Sequence, residues 1–173
     1  MPAQRIIGSK EVHAAIERLS ALIRTKHPQP KDLLVLGIAN GGSILARRIA
    51  AALGVKRTGD LDLSFHRDDI GSNPIPKDLS PTLLPGDINQ AHVLLVDDVL
   101  YTGRTIKAAL DELFDHGRPA MVELAVLVDR GGRRLPVSAD YAAMTIEASD
   151  RETVSVTLHE TIPAKDRIVV APK

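Results

Sequence analysis

The sequence predicts an α/β fold in which a parallel sheet is flanked by helices. Short apolar runs that suit buried strands alternate three times with segments of helical periodicity along the 173 residues. A strand, a helix and a second strand in succession normally form a right-handed crossover within one parallel sheet. A chain of this length can enclose a single hydrophobic core. We therefore expect residues 1–173 to form one domain.

The first elements of this pattern are a helix and a buried strand. Apolar residues from Val12 to Ile23 follow Ser9 at helical spacing, and Pro28 ends the predicted helix. The continuous apolar run Leu33–Ile38 is typical of a parallel strand that is buried on both faces.

A second helix and an alternating strand come next. Residues 41–43 (GGS) predict a turn in which Ser43 caps a helix over residues 44–53, and Gly54 closes that helix. Residues 60–66 alternate apolar and polar side chains, which predicts a strand with one covered face.

A long connection of residues 67–90 follows, with four prolines and two glycines. Connections of this length inside a small domain are usually functional or mobile. Beyond it, the pattern predicts a strand over residues 93–96, a helix over 105–116 and a strand over 122–128. Shorter strands near residues 154–158 and 168–170 are expected to extend the sheet or to form a small cap.

Composition excludes several classes of function. The formal net charge is zero, which argues against wholesale coating of nucleic acid, and aromatic residues make up only 2%, too few for a base-stacking platform. The chain has no Cys, so it has neither disulfides nor thiolate sites, and its six dispersed His show no metal-binding spacing. Apolar runs are too short for a membrane span, and no signal-peptide pattern is present. We expect a cytoplasmic protein without a membrane partner.

Residues 93–105, reading VLLVDDVLYTGRT, carry the most specific chemistry in the sequence. The predicted strand brings Asp97 and Asp98 to its carboxyl end, where ligands bind in open α/β sheets. Residues 101–105, which we call the phosphate loop, then turn into a helix. The free N–H groups and the dipole at a helix start favour a phosphate, while two carboxylates suit the vicinal hydroxyls of a sugar. A ribose 5-phosphate matches both ends of the segment.

This segment resembles the motif that binds PRPP (5-phosphoribosyl 1-diphosphate) in type I phosphoribosyltransferases. Three other stretches resemble the PyrR-type family of pyrimidine-operon attenuators and uracil phosphoribosyltransferases: residues 37–50 (GIANGGSILARRIA), 63–69 (LSFHRDD) and 125–141 (AVLVDRGGRRLPVSADY). The resemblance implies a type I phosphoribosyltransferase-like fold, with a flexible β-hairpin or loop at residues 67–90 and a small cap.

The same resemblance implies a reaction, a cofactor and a set of site residues. Uracil and PRPP would give UMP and diphosphate with Mg²⁺ held through PRPP, and a homodimer or homotetramer is implied, with a pyr mRNA leader as a further partner. Asp97 and Asp98 would act in catalysis by holding the ribose hydroxyls. The implied PRPP- and UMP-binding residues are Asn40, Gly41, Asp97, Asp98, Val99, Leu100, Tyr101, Thr102, Gly103, Arg104, Thr105, Arg130 and Val154. Arg130 and Val154 would lie near the base, and residues 130–137 are called the base-side loop below.

Three places differ from the family pattern. Asn40-Gly41-Gly42 stands where the family has TRG, so Arg67 is a candidate for the missing cation. Gly132 replaces a His, and residues 143–149 replace a GKNIPTS-like stretch. Two other functions therefore stay open: an RNA-binding attenuator with little catalysis, and a phosphoribosyltransferase for another base. The basic pairs at residues 47–48 and 133–134 are interpreted as solvated surface, with a subunit interface as the alternative for the second pair.

Overall fold

A computed structural model describes residues 4–38, 41–64, 66 and 81–173. Three helices and eight strands lie in these ranges, with single 3-10 turns at Pro30–Asp32 and Pro163–Lys165. In chain order they are β1 (Arg5–Ile7), α1 (Ser9–Lys26), β2 (Leu33–Ile38), α2 (Gly41–Leu53), β3 (Thr58–Leu61), β4 (His92–Leu100), α3 (Arg104–Asp115), β5 (Met121–Asp129), β6 (Tyr141–Thr145), β7 (Glu152–Thr157) and β8 (Arg167–Pro172).

Five of the strands form one parallel sheet in the order β3-β2-β4-β5-β6. The predicted α/β fold with helices on a parallel sheet is confirmed. Along β4, Leu94 and Val96 pack on the side of α1 and α2, while Val93 and Leu95 pack on the side of α3. This alternation follows from the pleat of a strand and explains why the run is apolar throughout.

The remaining three strands form a separate antiparallel sheet in the order β1-β8-β7. It joins the α1 and α2 side of the core through Ile168 and Val170 of β8. Of the two alternatives for the C-terminal strands, the small cap is therefore correct. Asp166, just before β8, is buried and accepts hydrogen bonds from Arg48 of α2, His13 of α1 and the N–H of His159. This cluster ties the cap to both helices.

Two predicted boundaries are wrong for identifiable reasons. α2 begins at Gly41, so Ser43 lies inside the helix and does not cap it. The strand predicted over residues 60–66 is β3, Thr58–Leu61, which ends when its partner β2 ends at Ile38. Sheet pairing, which cannot be read from local alternation, sets that end.

The chain is described on both sides of residues 67–80, which themselves lie outside the described ranges. Asp60 and Leu83 exchange two main-chain hydrogen bonds of 3.0 and 2.8 Å, so the ends approach each other in an antiparallel manner. Glu112 of α3 accepts a hydrogen bond of 2.5 Å from Thr82 Oγ1 and forms an ion pair of 3.1 Å with His66. Both ends are therefore attached to α3. No helix in the described part of the chain is long and apolar enough to cross a membrane.

Candidate functional site

The carboxyl edge of the parallel sheet brings together the starts of α2 and α3. β4 runs through both aspartates to Leu100, four residues beyond the predicted strand end, and so carries Asp97 and Asp98 to this edge. β2 lies beside β4 and leads directly into α2. Two helix N-termini, with their positive dipole ends, therefore flank the two carboxylates.

The start of α2 approaches β4 too closely for any side chain. A β-carbon at Gly41 would overlap the carboxylate of Asp98, and one at Gly42 would overlap the carbonyl oxygen of Val96. The backbone contact requires glycine at position 42, whereas a side chain at position 41 would displace the carboxylate of Asp98. The structure thus brings Gly41 and Asp98 together, as expected of one site, whereas Asn40 and Arg67 lie outside the described residues.

Asp97 and Asp98 form an acidic pair in which Asp97 is buried and Asp98 is half-buried. Asp97 is 5% exposed, and its Oδ1 accepts a hydrogen bond of 2.9 Å from the N–H of Asp98. Burial, with the neighbouring charge of Asp98, raises the pKa of Asp97 well above its ordinary value. Burial also raises the pKa of Asp98, although the N–H of Val99 opposes the shift. A bound cation or hydroxyl donors would favour the ionised form of both.

The phosphate loop turns from β4 into α3 at a glycine in the left-handed region. Gly103 has φ 93°, and a β-carbon there would overlap the side chain of Val137. The N–H of Arg104 lies 3.3 Å from Thr102 Oγ1, and the first α3 hydrogen bond runs from Lys107 to the carbonyl of Gly103. The first turn of α3 therefore opens directly beside the loop, as the phosphate-binding prediction requires.

The base-side loop packs against the phosphate loop from behind. The N–H of Arg130 donates to the carbonyl of Leu100 at 3.1 Å, and the N–H groups of Arg134 and Leu135 donate to the carbonyl of Thr102 at 3.0 and 3.1 Å. The sequence suggested neither contact, because the two loops are about thirty residues apart and meet only through the pairing of β4 with β5.

Tyr101 connects the two loops through its ring. The guanidinium carbon of Arg130 lies 3.8 Å from the ring centroid, within the range of a cation–π contact. Gly132 has φ 72°, and a β-carbon there would lie 2.5 Å from Tyr101 Cε2. The hydroxyl of Tyr101 donates to Asp150 at 3.0 Å. Asp150 was missed from the sequence, since no local signal pairs it with a residue 49 positions earlier.

Arg130 is buried and reaches toward the cap. It is 6% exposed, its Nη2 donates to the carbonyl of Ser149 at 3.1 Å, and its Nε has no hydrogen-bond partner among the described residues. Ser149 lies three residues before β7, which carries the half-buried Val154 opposite Val170 of β8. Arg130 thus lies between the phosphate loop and the strand of Val154.

The interpretation of the basic pairs as solvated surface is correct for Arg47 and Arg134, whose side chains are 46% and 65% exposed. It is wrong for Arg48 and Arg133, whose side chains are 21% and 23% exposed. Arg47 pairs with Glu160 at 3.1 Å and Asp60 at 3.6 Å, and Arg48 is bound to Asp166. Arg133, expected at the surface, instead turns inward and binds Asp129 at 2.5 Å, while the exposed Arg134 lies 3.7 Å from Asp150. Each of the four arginines has a carboxylate partner within the chain.

Comparison with known proteins agrees with this geometry. The family described as "Phosphoribosyl transferase domain" matches residues 7–170. The chain is 41% identical over 175 residues to the bifunctional protein PyrR of Roseiflexus sp. (strain RS-1), covering 98% of this chain and 96% of that protein. It is 45% identical over 165 residues to the bifunctional protein PyrR of Corynebacterium diphtheriae, covering 90% and 86%.

The chain belongs to the phosphoribosyltransferase family, in its PyrR-type branch.

Solved structures of the family share the fold at lower identity. A purine phosphoribosyltransferase from Pyrococcus horikoshii superposes with a TM-score of 0.60 at 25% identity, covering 79% of this chain and 83% of that one. A hypoxanthine phosphoribosyltransferase from Trypanosoma cruzi gives a TM-score of 0.66 at 21% identity, covering 96% and 91%. The resemblance to PyrR-type phosphoribosyltransferases seen in the sequence is confirmed.

The raised pKa of Asp97 leads to a prediction about stability. Its pKa in the folded chain lies above the unfolded value of 3.8, so stability falls as the pH rises from about 4 through the folded pKa. Asp97→Asn cannot ionise and keeps an acceptor oxygen. We expect it to raise the Tm of the ligand-free protein at pH 7 by about 3 °C, the shift that ~1 kcal/mol produces in a chain of this size.

Thermal unfolding of both proteins between pH 4 and 8 checks this prediction. The difference should shrink toward pH 4, where the carboxyl of the unfolded chain begins to take up its proton. Asp32→Asn, at an exposed position on a 3-10 turn, is the control and should change the Tm by less than about 1 °C. A Tm of Asp97→Asn below that of the unchanged protein at pH 7 would contradict the account.

Proposed function

We propose that this protein transfers the phosphoribosyl group of PRPP to uracil, giving UMP and diphosphate. The observation that carries the proposal is the joint position of Asp97, Asp98 and the phosphate loop between two helix N-termini, in a PyrR-type phosphoribosyltransferase. In this assignment the phosphate loop binds the 5-phosphate, and the two carboxylates accept hydrogen bonds from the ribose hydroxyls. Gly41 and its neighbour Asn40 bind the diphosphate through main-chain N–H groups, and Arg130 and Val154 lie near the base.

Catalysis in this proposal depends on position and charge and involves no protein nucleophile. The bond between ribose C1 and the diphosphate breaks as the base nitrogen approaches, so positive charge develops on the ribose ring. Ionised carboxylates at the ribose hydroxyls favour that charge, and the N–H groups at the start of α2 favour the departing diphosphate.

Mg²⁺ is proposed as the cofactor, and the residues present fit it. Asp97 and Asp98 offer hard carboxylate oxygens, and burial holds the pKa of each above its ordinary value, so a cation nearby would relieve their mutual repulsion. Mg²⁺ commonly binds through one or two carboxylates together with phosphate oxygens of the substrate. When bound with PRPP it would neutralise charge on the diphosphate. We also propose that the protein is cytoplasmic and assembles as a homodimer or homotetramer, as the family resemblance implies.

A side-by-side assay of bases tests the proposed reaction. With PRPP and Mg²⁺, we expect uracil to be consumed at least about tenfold faster, in kcat/KM, than hypoxanthine, guanine or adenine. The double variant Asp97→Asn, Asp98→Asn should form no UMP while it keeps the circular dichroism spectrum of the unchanged protein. If a purine is consumed faster than uracil, the assignment of uracil as the substrate is wrong. If the double variant has near-normal activity, the assignment of the two aspartates to the site is wrong.

Binding of a pyr mRNA leader is a second candidate function. The observation that favours it is that the relatives are named bifunctional. Arg48 and Arg133 are bound to carboxylates and largely buried, which counts against a contact through them. The exposed Arg47 and Arg134 stay available to RNA. A filter-binding titration with the organism's own leader RNA tests this function. Specific binding should weaken with a log–log salt slope of about −3 or steeper, and no binding at low salt would exclude it.

A further inference from the structure

Arg133 holds the backbone of the phosphate loop from the side opposite its helix. Its Nη1 donates to the carbonyl of Tyr101 at 2.7 Å, and lies 3.3 Å from the carbonyl of Leu100. Its other hydrogen bonds keep the side chain within the base-side loop; they run to the carbonyls of Val137 (3.1 Å) and Gly131 (3.4 Å) and to Asp129 Oδ2 (2.5 Å). The guanidinium therefore uses its three nitrogens to join two loops.

Asp129 fixes the guanidinium in this orientation. One carboxylate oxygen accepts from Arg133 Nη2 and the other accepts a hydrogen bond of 2.9 Å from the N–H of Gly131. The side chain of Arg133 is 23% exposed and that of Asp129 is 26% exposed, so solvent screens the pair only in part. A planar, forked donor suits this position, because its three nitrogens bind the Val137 carbonyl, the Tyr101 carbonyl and the Asp129 carboxylate at the same time.

The orientation of the carbonyls decides where the N–H groups point. In a trans peptide the C=O of one residue and the N–H of the next point in opposite directions. The carbonyls of Leu100, Tyr101 and Thr102 all point to the base-side loop, so the N–H groups of Tyr101, Thr102 and Gly103 point away from it. That is the side on which α3 opens and a phosphate would lie.

The three peptide groups differ in what holds them. Main-chain N–H groups donate to the carbonyls of Leu100 and Thr102, so both keep a backbone partner if the Arg133 side chain is removed. The partner of the Tyr101 carbonyl is the side chain of Arg133. The Tyr101 carbonyl and the Thr102 N–H belong to the same peptide group. A substitution at Arg133 would therefore leave the orientation of the Thr102 N–H unfixed.

We propose that Arg133 is a positioning residue for the 5-phosphate site, which it serves by directing the N–H of Thr102 at the ligand without touching the ligand itself. The proposal rests on the proposed phosphoribosyl transfer. Because the same side chain belongs to the base-side loop, it also fixes the distance between the phosphate loop and Arg130. A surface role for Arg133 predicts no effect on ligand binding, so the two roles can be separated.

Arg133→Ala tests the proposal, with Arg118→Ala as a matched control. Arg118 also donates to two main-chain carbonyls, those of Phe114 and Gly117, but at the far end of α3 from the site. We expect Arg133→Ala to weaken ribose 5-phosphate binding in calorimetry and to raise the KM for PRPP, each by about tenfold, with a smaller change in kcat. Added guanidinium at millimolar concentration should restore much of the loss. Arg118→Ala should change neither quantity by more than about twofold.

The possible outcomes separate this proposal from the proposed function. Ribose 5-phosphate affinity within twofold of the unchanged protein in a folded Arg133→Ala variant would overturn the positioning role, as would a loss that guanidinium does not restore. If Arg133→Ala does not fold, Arg133→Lys replaces it; a raised KM for PRPP supports the proposal and an unchanged KM overturns it. If the unchanged protein binds ribose 5-phosphate but forms no nucleotide from any base, the proposed phosphoribosyl transfer is wrong. The comparison of ribose 5-phosphate binding would still decide the role of Arg133.

Discussion

The candidate site depends on one constraint, the fixed direction of three successive peptide groups after β4. Their carbonyls are bound by the base-side loop, so their N–H groups face the start of α3. An anion site built in this way needs no cationic side chain in contact with the ligand, because oriented main-chain dipoles and the helix supply the positive potential. It also makes the two loops one unit, since neither could move without breaking hydrogen bonds to the other.

A second constraint, the close approach of α2 to β4, explains where the carboxylates lie. Gly41 and Gly42 leave no space for a side chain between the helix and the strand, and Asp98 occupies the region in front of the helix start. The same packing buries Asp97 beside Asp98 and raises the pKa of both. In the ligand-free chain the two carboxylates repel each other, and hydroxyl donors or a cation would relieve this repulsion. The pair therefore lowers the stability of the ligand-free fold and favours ligand binding.

The local pattern of apolar, polar and glycine residues predicts most helices and strands of this fold, but it does not predict the contacts between distant segments. β2 matches its predicted bounds, and α3 begins one residue early, because apolar periodicity and Gly103 mark these elements directly. β1, β6 and the early start of α2 were not predicted, since strands of three to five residues carry little periodicity and depend on distant partners. The acids, the glycine and the hydroxyls of the phosphate segment could be read from their order. The inward turn of Arg133 and the partnership of Tyr101 with Asp150 could not, because each joins segments that only the sheet brings together.

The most direct test of the account is an amide titration. A ¹H–¹⁵N correlation spectrum of the ligand-free protein, followed as ribose 5-phosphate is added, reports which N–H groups meet the ligand. We expect the largest shifts at Thr102, Gly103 and the first turn of α3, with smaller shifts in the base-side loop that supports them. Saturable shifts confined to another part of the sheet, or no shifts at millimolar ligand, would contradict the assignment of this loop as the phosphate site.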